Sequence, residues 1–204
     1  MTNLSDHQLL DLYPKLSSDF FAVSADILAP KLLGKILVKL EAAGVLAGQI
    51  TEVEAYTGFN DPADHGYRGR SQRNQSLFLE AGHLYVHRIH RYHCLDIVSD
   101  TEGFPGSVLI RSMEPFVGIE TMQTRRGKSD LAALLTGPGK ICQAFAIDTT
   151  FDGASICQSN SQIFLLDTPD IPDSKITRSP RIGISVAKDK LLRYYLSNSR
   201  FLSR

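Results

Sequence analysis

The sequence is poor in the features that mark secreted and membrane proteins. Its 204 residues contain three cysteines and no tryptophan. Cys94, Cys142 and Cys157 are odd in number, widely spaced and form no Cys-x-x-Cys pair, which argues against a disulfide framework and fits a reducing compartment. No apolar run approaches the roughly 18 residues of a membrane-spanning helix, and the N-terminal segment lacks the apolar core of a signal peptide. We therefore expect a soluble, cytoplasmic protein that makes no contact with a membrane.

The chain also lacks an excess of either charge, because 22 lysines and arginines balance 22 acidic residues. A net charge of zero is mild evidence against binding to nucleic acid. The charges are nevertheless unevenly distributed, and basic residues without any acid occur at 65–73, 83–91 and 125–128. Such runs are common on ordinary solvated faces. They also suit contacts to phosphates, which need local rather than net positive charge.

Length and hydrophobic patterning predict one domain of the α+β class, with a curved, mostly antiparallel β-sheet flanked by helices. We assign residues 1–17 to an N-terminal extension and 18–204 to the domain. A polar, glycine-rich surface loop is expected at 57–75, and a kink or restart at Pro30 in the first helix. Strands are predicted at 35–40, 46–56, 84–89, 95–98, 107–111, 163–166 and 182–186. Helices are predicted at 18–33, 118–124 and 131–146, the last interrupted by a turn at 137–139.

Two acidic residues in the second predicted strand are candidate catalytic groups. Side chains alternate along a strand, so Glu52, Glu54 and Tyr56 share one face. If that face is exposed, it is an ordinary polar strand edge. If it lines a dry cleft, burial and a like-charged neighbour raise a carboxylate's pKa until it can act as a base near neutral pH. Arg111, at the end of an apolar strand, is the candidate partner, because a buried arginine almost always pairs with a carboxylate.

Histidines are concentrated between residues 83 and 93. On a helix, His83, His87 and His90 would share one face and could bind zinc. The local sequence favours a strand, which would distribute them over both faces, so we predict no metal site. The interleaved tyrosines and arginines suit base stacking and contacts to a nucleic-acid backbone.

A series of short motifs runs in order along the chain. The set comprises GQITEVEAY at 48–56, His65 after a short acidic loop, Gln72-Arg73-Asn74 with Phe78, Leu84-Tyr85-Val86, LIRSMEP at 109–115, GPGKICQA at 137–144 and PRIGIS at 180–185. Together these motifs resemble the alkyladenine, or 3-methyladenine, DNA glycosylase family in its minimal bacterial form. The resemblance covers roughly residues 18–204.

The resemblance implies a monofunctional enzyme that flips a damaged purine out of double-stranded DNA and hydrolyses its N-glycosidic bond, the first step of base-excision repair. Glu54 matches the general base that activates water, and Arg111 the arginine that helps to hold that water and the carboxylate. Tyr56 and His65 match walls of the base pocket. The resemblance implies no cofactor, and we expect a monomer. No amine nucleophile is indicated, so no lyase activity is expected.

The sequence departs from the family pattern between His87 and Asp96. The family has tyrosine at the positions of His87 and His90, and asparagine at the position of Asp96. We expect His87 and Asp96 to contribute to the base pocket, and His90, or Arg91 if the register shifts by one residue, to fill the gap left by the flipped base. An acid at Asp96 could accept a hydrogen bond from the guanine amino group. Further candidate contacts to the DNA backbone are Arg70, Arg73, Arg125, Arg126 and Lys140.

Two other functions remain open at this stage. A chain of the same fold could grip damaged DNA and yet have lost turnover through the changes from His87 to Asp96. Alternatively, the histidine cluster could support a metal-dependent hydrolase.

Overall fold

The second strand, Gly44–Thr57, organises the fold, because three other strands pair with it. In the computed structural model, which describes residues 10–203, this strand (β2) lies beside β1 (Ile36–Glu41) and β5 (Gly106–Val117). Its C-terminal half also pairs with β8 (Arg193–Leu196). The remaining strands are β3 (Leu84–Ile89), β4 (Tyr92–Val98), β6 (Ile163–Leu166) and β7 (Ile176–Ser179).

All of these pairings are antiparallel, and they join the strands into one eight-stranded sheet. The main path runs β3-β4-β5-β2-β1-β6, with β8 added to β2 and β7 to β8. Register shifts interrupt the β2–β5 ladder beside Gly48 and Glu52. Such irregularities bend a strand and increase its twist, and so favour a curved sheet. The prediction of an α+β domain with a curved antiparallel sheet is confirmed.

Alternation along the central strands separates an apolar core face from a polar face. Val53 and Ala55 on β2, and Val108 and Ile110 on β5, are completely buried in the main hydrophobic core. The residues that alternate with them point to the other side of the sheet. They are Glu52, Glu54 and Tyr56 on β2, and Ser107, Leu109 and Arg111 on β5. Polar side chains thus collect on one face without entering the apolar core.

The first helical segment is shorter and more broken than predicted. It forms α1 (Ser18–Phe21) and α2 (Ala25–Leu32). The break comes before Ala25 and not at Pro30, which lies inside α2. Val23 interrupts the helix, because its N–H turns back to the Phe21 carbonyl and its own carbonyl accepts from Asp100.

The later helices agree with the sequence only in part. The helix predicted at 118–124 is present as α3 (Ile119–Arg126) and ends at Gly127, which adopts the left-handed conformation. In the segment 131–146, only Pro138–Ala144 (α4) is α-helical. The Gly-Pro-Gly sequence does not interrupt a helix but begins one, with proline in the first turn, where no N–H is needed.

The strand predicted at 182–186 is wrong, and two strands near the C-terminus were missed. Residues 182–186 are irregular, because Gly183 has a φ of 82° and the Ile182 N–H donates to a side chain. β7 and β8, which pair with each other, flank this segment. Short strands with charged or half-buried residues carry little hydrophobic periodicity, and so gave no signal in the sequence.

Two other segments lie closer to the core than expected. In the loop at 57–75, Asp61, Asp64 and Asn74 are buried, although its arginines are exposed as predicted. Residues 1–9 of the predicted N-terminal extension lie outside the described residues. Its remainder packs on β6, where the Leu16 N–H donates to the Leu165 carbonyl. Within residues 10–203, no helix is both long and apolar enough to cross a membrane.

Candidate active site

The polar face of the sheet forms one wall of a cavity of about 490 Å³. Strands β2 to β5 contribute alternate side chains to this wall, and the loops at 62–65 and 182–186 close it from the sides. From the strands, the lining residues are Tyr56, Tyr85, His87, Ile89, Cys94, Asp96, Ser107, Leu109 and Arg111. The cavity is therefore lined by segments that are widely separated in the sequence.

Glu54 lies directly behind this wall and is completely buried. Its Oε2 accepts a hydrogen bond from the Tyr56 hydroxyl at 3.0 Å, and its Oε1 accepts one from the Ile182 N–H at 2.7 Å. Burial raises the pKa of Glu54 above its usual range, although the positive charge of Arg111 opposes this rise. A carboxylate in this environment binds a proton more readily than one in water.

Arg111 links this carboxylate to Glu52. Its Nη1 lies 3.1 Å from Glu54 Oε2, and its Nε lies 3.1 Å from Glu52 Oε1. Arg111 as a whole is only 6 % exposed, so both contacts are largely shielded from solvent. The pairing of a buried arginine with a carboxylate, expected from the sequence, is present.

The two neighbouring glutamates have different surroundings. Glu52 Oε1 also accepts from Arg193 Nε at 2.7 Å and from the Ser203 hydroxyl at 2.7 Å. These partners come from β8 and from the C-terminal segment, so Glu52 ties distant parts of the chain together. By contrast, the partners of Glu54 all line the cavity. Glu52 therefore joins distant parts of the chain, whereas the contacts of Glu54 are confined to residues of the cavity.

Arg181 supports the site from behind, a role that sequence reasoning did not assign. It forms a completely buried ion pair with Asp61, donates to the Ala55 carbonyl at 2.9 Å, and lies 4.6 Å from the centre of the Tyr56 ring. This pair fixes the loop that carries Ile182 against β2. The signal was available in the motif at 180–185, because a buried arginine requires a carboxylate, but its acidic partner lies more than a hundred residues earlier.

Three aromatic rings pack along one side of the cavity. Tyr85 stacks on His87 with ring centres 4.8 Å apart, and His65 meets His87 edge-on at 4.7 Å. The hydroxyl of Tyr85 is also 2.9 Å from Nδ1 of His65. Sequence reasoning placed His65 and His87 in the pocket but did not assign Tyr85. Partial burial and the charge of His87 lower the pKa of His65.

His87 and Asp96 form an ion pair in the cavity wall. Nδ1 of His87 lies 3.3 Å from Oδ2 of Asp96, and the two residues come from adjacent strands. Burial works against a charged imidazole here, but the neighbouring Asp96 and Cys94 outweigh it and raise the pKa of His87 to about 10. Near neutral pH, His87 is therefore a cation and His65 is neutral.

The chain is similar to known proteins over almost its whole length. The family model described as methylpurine-DNA glycosylase matches residues 19–200. A protein of Chlorobaculum tepidum is 43 % identical over 93 % of this chain and 91 % of its own length. A protein of Methanoculleus marisnigri is 41 % identical over 93 % of this chain and 98 % of its own length. Both carry the name "putative 3-methyladenine DNA glycosylase".

The chain belongs to the methylpurine-DNA glycosylase family. A more distant member, from Rhodopirellula baltica, is 38 % identical over 92 % of this chain and 82 % of its own length. The resemblance inferred from ordered motifs is confirmed.

Within this family member, the turn between β3 and β4 lies near the cavity mouth. His90 and Arg91 form the turn, which is short because Ile89 pairs directly with Tyr92. His90 has a φ of 53°, a backbone conformation that residues other than glycine seldom adopt. Ile89 and Tyr92 are each 45 % exposed. The structure thus places two exposed apolar side chains beside the two polar residues chosen from the sequence.

The candidate DNA-backbone residues lie in different environments. Arg70 and Arg73 are exposed on the loop that follows His65. Arg126 and Lys140 line a second cleft of about 630 Å³, which shares Arg111 with the first cavity. Arg125 lines neither, because its guanidinium binds both carboxylate oxygens of Glu41, at 3.1 and 2.7 Å.

The other two histidines of the arrangement considered for zinc, His83 and His90, lie at opposite ends of β3. His83 precedes β3, and its Nδ1 contacts the Glu80 carbonyl at 2.8 Å, whereas His90 lies in the turn at the opposite end of that strand. The helical arrangement considered for zinc is wrong, because 84–89 is a strand. Among residues 10–203, no group of three His, Cys, Asp or Glu side chains is placed to hold a metal ion.

Proposed function

We propose that this chain is a monofunctional DNA glycosylase that hydrolyses the N-glycosidic bond of a damaged purine after the nucleotide has been flipped out of the duplex. The observation that carries the proposal is Glu54, buried behind the wall of the cavity and held by Arg111. The glycosidic bond is inaccessible within stacked DNA, so the base must enter a pocket. The family and the names of its members support this class of reaction.

The residues around the cavity supply the parts that such a reaction needs. Glu54 accepts a proton from the water that attacks C1′ of the sugar, and its negative charge stabilises the oxocarbenium-like transition state. Arg111 positions the carboxylate and limits the rise of its pKa. Tyr56, His65 and His87 offer aromatic faces to the extruded base. Stacking on such faces stabilises an extruded base by about 1–3 kcal/mol each.

The second cleft suits the phosphates beside the flipped nucleotide. Arg126 and Lys140 line it, and it meets the first cavity at Arg111. Phosphate contacts of this kind set the position of a protein on the duplex without reading its sequence. The turn formed by His90 and Arg91, together with Ile89 and Tyr92, is the segment that fills the gap left by the extruded base.

The test is single-turnover release of base from duplexes containing 3-methyladenine, 7-methylguanine, ethenoadenine or hypoxanthine. We expect Glu54→Gln to lower the rate by about 10²–10⁴-fold, since general-base catalysis contributes that much. Binding to the same duplexes should survive, because a neutral isostere keeps the cavity's shape. Glu120→Gln, an exposed change on α3, is the matched control and should behave as wild type.

Other results would contradict the proposal. Wild-type protein that binds an abasic-site analogue but releases no base would be a damage-binding module. Stoichiometric zinc that is lost, together with activity, in His87→Ala would identify a metal-dependent hydrolase.

A further inference from the structure

Asp64 is a second carboxyl group at the cavity, and the function proposed above does not use it. It lines the cavity and is only 6 % exposed. Its Oδ2 accepts the Gly58 N–H at 2.8 Å, and its Oδ1 accepts the Gly66 N–H at 2.6 Å. Each oxygen keeps a second acceptor position, so the group can also carry a proton.

The loop around Asp64 is held rigidly. Gly58 has a φ of 64°, and a Cβ at Gly66 would lie 2.2 Å from Pro105 Cβ, so neither position accommodates another residue without rearrangement. Asp61, three residues before Asp64, forms the buried ion pair with Arg181. The Asp64 carboxyl is therefore held at one point of the cavity wall.

The charges that face Asp64 are mainly negative. The negative charges of Asp61 and Asp96 both raise the pKa of Asp64. The nearby cations Arg181 and His87 are paired with Asp61 and Asp96, respectively, and not with Asp64. Within residues 10–203, no lysine, arginine or histidine forms an ion pair with Asp64. Burial above all, and these two acids to a smaller extent, raise the pKa of Asp64 to about 7, although the two backbone N–H groups oppose the rise.

We propose that Asp64 is the general acid of this site and protonates neutral purine lesions as they leave. The inference rests on the proposed glycosylase function and deepens it. As the C1′–N9 bond breaks, its electron pair passes to the purine, and the Asp64 carboxyl transfers its proton to the ring nitrogen that faces it. Water supplies the new bond to C1′ and gives its proton to Glu54. Glu54 then releases its proton to solvent, and solvent restores the proton on Asp64.

The two carboxyl groups are suited to opposite roles. Arg111 contacts Glu54 and favours its ionised form, whereas Asp64 lacks such a partner among the described residues and retains a proton more easily. Pairs of carboxyl groups whose environments separate their protonation states are the usual basis of acid–base catalysis at neutral pH. A purine alkylated at N3 or N7 is already cationic and leaves without help. Asp64 therefore matters for neutral lesions and is dispensable for cationic ones.

The experiment compares one neutral and one cationic lesion in the same protein. Single-turnover release is measured for hypoxanthine and for 7-methylguanine with wild type, Asp64→Asn and Asp64→Ser. For hypoxanthine we expect both variants to be slower by about 10²-fold, and for 7-methylguanine by less than about threefold, because general-acid catalysis is needed only in the first case. Release of 7-methylguanine also reports whether each variant is folded.

The pH profile provides an independent readout. With wild type, release of hypoxanthine should fall as the pH rises through about 7, where Asp64 loses its proton. Release of 7-methylguanine should show no such fall, and neither should the residual activity of Asp64→Asn on hypoxanthine. His65 and His87 remain in that variant, so a fall that persists would assign the acid to another group and overturn the proposal.

The remaining outcomes separate this inference from the function on which it rests. An equal loss on both lesions would make Asp64 structural and would refute the inference, as would no loss on either. If wild type releases neither base, or if Glu54→Gln is as active as wild type, the proposed function itself fails. A third outcome would reject only the role of Asp64 as general acid and leave the proposed function intact. In that outcome, release of 7-methylguanine depends on Glu54, and release of hypoxanthine is unaffected by Asp64→Asn.

Discussion

Nδ1 of His87 lies 3.3 Å from Oδ2 of Asp96, and this ion pair forms part of the cavity wall. Both residues depart from the pattern that the family resemblance implies, which has a tyrosine and an asparagine at these positions. The two departures are adjacent in space, because His87 on β3 and Asp96 on β4 belong to paired strands. The altered pocket therefore contains a cation and an anion that act as one unit.

The first prediction concerns the pH dependence of stability. The folded protein raises the pKa of His87 from 6.5 to about 10, so the protonated form stabilises the fold. This contribution should be complete at about pH 6.5, decline as the pH rises, and vanish above about pH 10. Asp96→Asn should thus lower the melting temperature at pH 6.5 more than at pH 10. A constant difference across that range would show that the pair is not linked to His87 protonation.

The second prediction concerns the choice of lesion. Asp96 can accept a hydrogen bond from the guanine amino group, whereas an asparagine at this position can also present a donor. Asp96→Asn should therefore reduce release of 7-methylguanine relative to 3-methyladenine and hypoxanthine by about three- to tenfold, the value of one hydrogen bond. Single-turnover rates on the three substrates measure the ratios. Unchanged ratios would exclude Asp96 from guanine selection.

The third prediction concerns Arg111. Its removal leaves Glu54 buried without a cation, while Glu52 keeps Arg193. Arg111→Ala should reduce the free energy of unfolding by about 3–5 kcal/mol, the usual effect of breaking a buried ion pair. Denaturant unfolding measures this value.

A double variant provides the control for that prediction. Adding Glu54→Gln to Arg111→Ala should recover part of the lost stability, because the unpaired charge is then absent. Strict additivity of the two changes would mean that Arg111 and Glu54 do not interact energetically.

The fourth prediction distinguishes an exposed arginine from one that is held in an ion pair. Arg91 is exposed at the β3–β4 turn, whereas Arg125 is bound to Glu41. Arg91→Ala should reduce the slope of DNA affinity against salt concentration by an amount that corresponds to about one phosphate contact. Arg125→Ala should leave that slope unchanged and lower the melting temperature instead. Fluorescence anisotropy over a salt series tests both, and a reduced slope for Arg125→Ala would show that Glu41 releases it on DNA.

Much of the central sheet could be predicted because each strand carries its own pattern. The strands at 35–40, 46–56, 84–89 and 163–166 were found within a few residues, since apolar side chains alternate or cluster there. The prediction of a strand at 182–186 was wrong, because a local pattern does not show a distant contact. Its apolar residues resemble a strand, but the Ile182 N–H is taken by Glu54, a contact 128 residues away in sequence.

In the candidate site, too, local patterns predicted some residues, and others depend on contacts that form only on folding. The motif around Glu54 and its resemblance to a family pointed to that carboxylate, and strand alternation placed Glu52 and Tyr56 on the same face. The sequence did not reveal Arg181, because its importance depends on burial beside Asp61. It did not reveal Asp64 either, because a short acidic loop is ordinarily exposed, whereas this one folds inward.

By itself, the sequence determined the family, the class of fold and which strand carries the candidate base, since these follow from local patterns and ordered motifs. Only the tertiary structure decided the surroundings of the two neighbouring glutamates: the partners of Glu54 line the cavity, whereas Glu52 binds Arg193 and Ser203 near the C-terminus. Folding also raises the pKa of His87 to about 10 and the pKa of Asp64 to about 7. Burial and the approach of distant charges set these properties, and both arise only when the chain has folded.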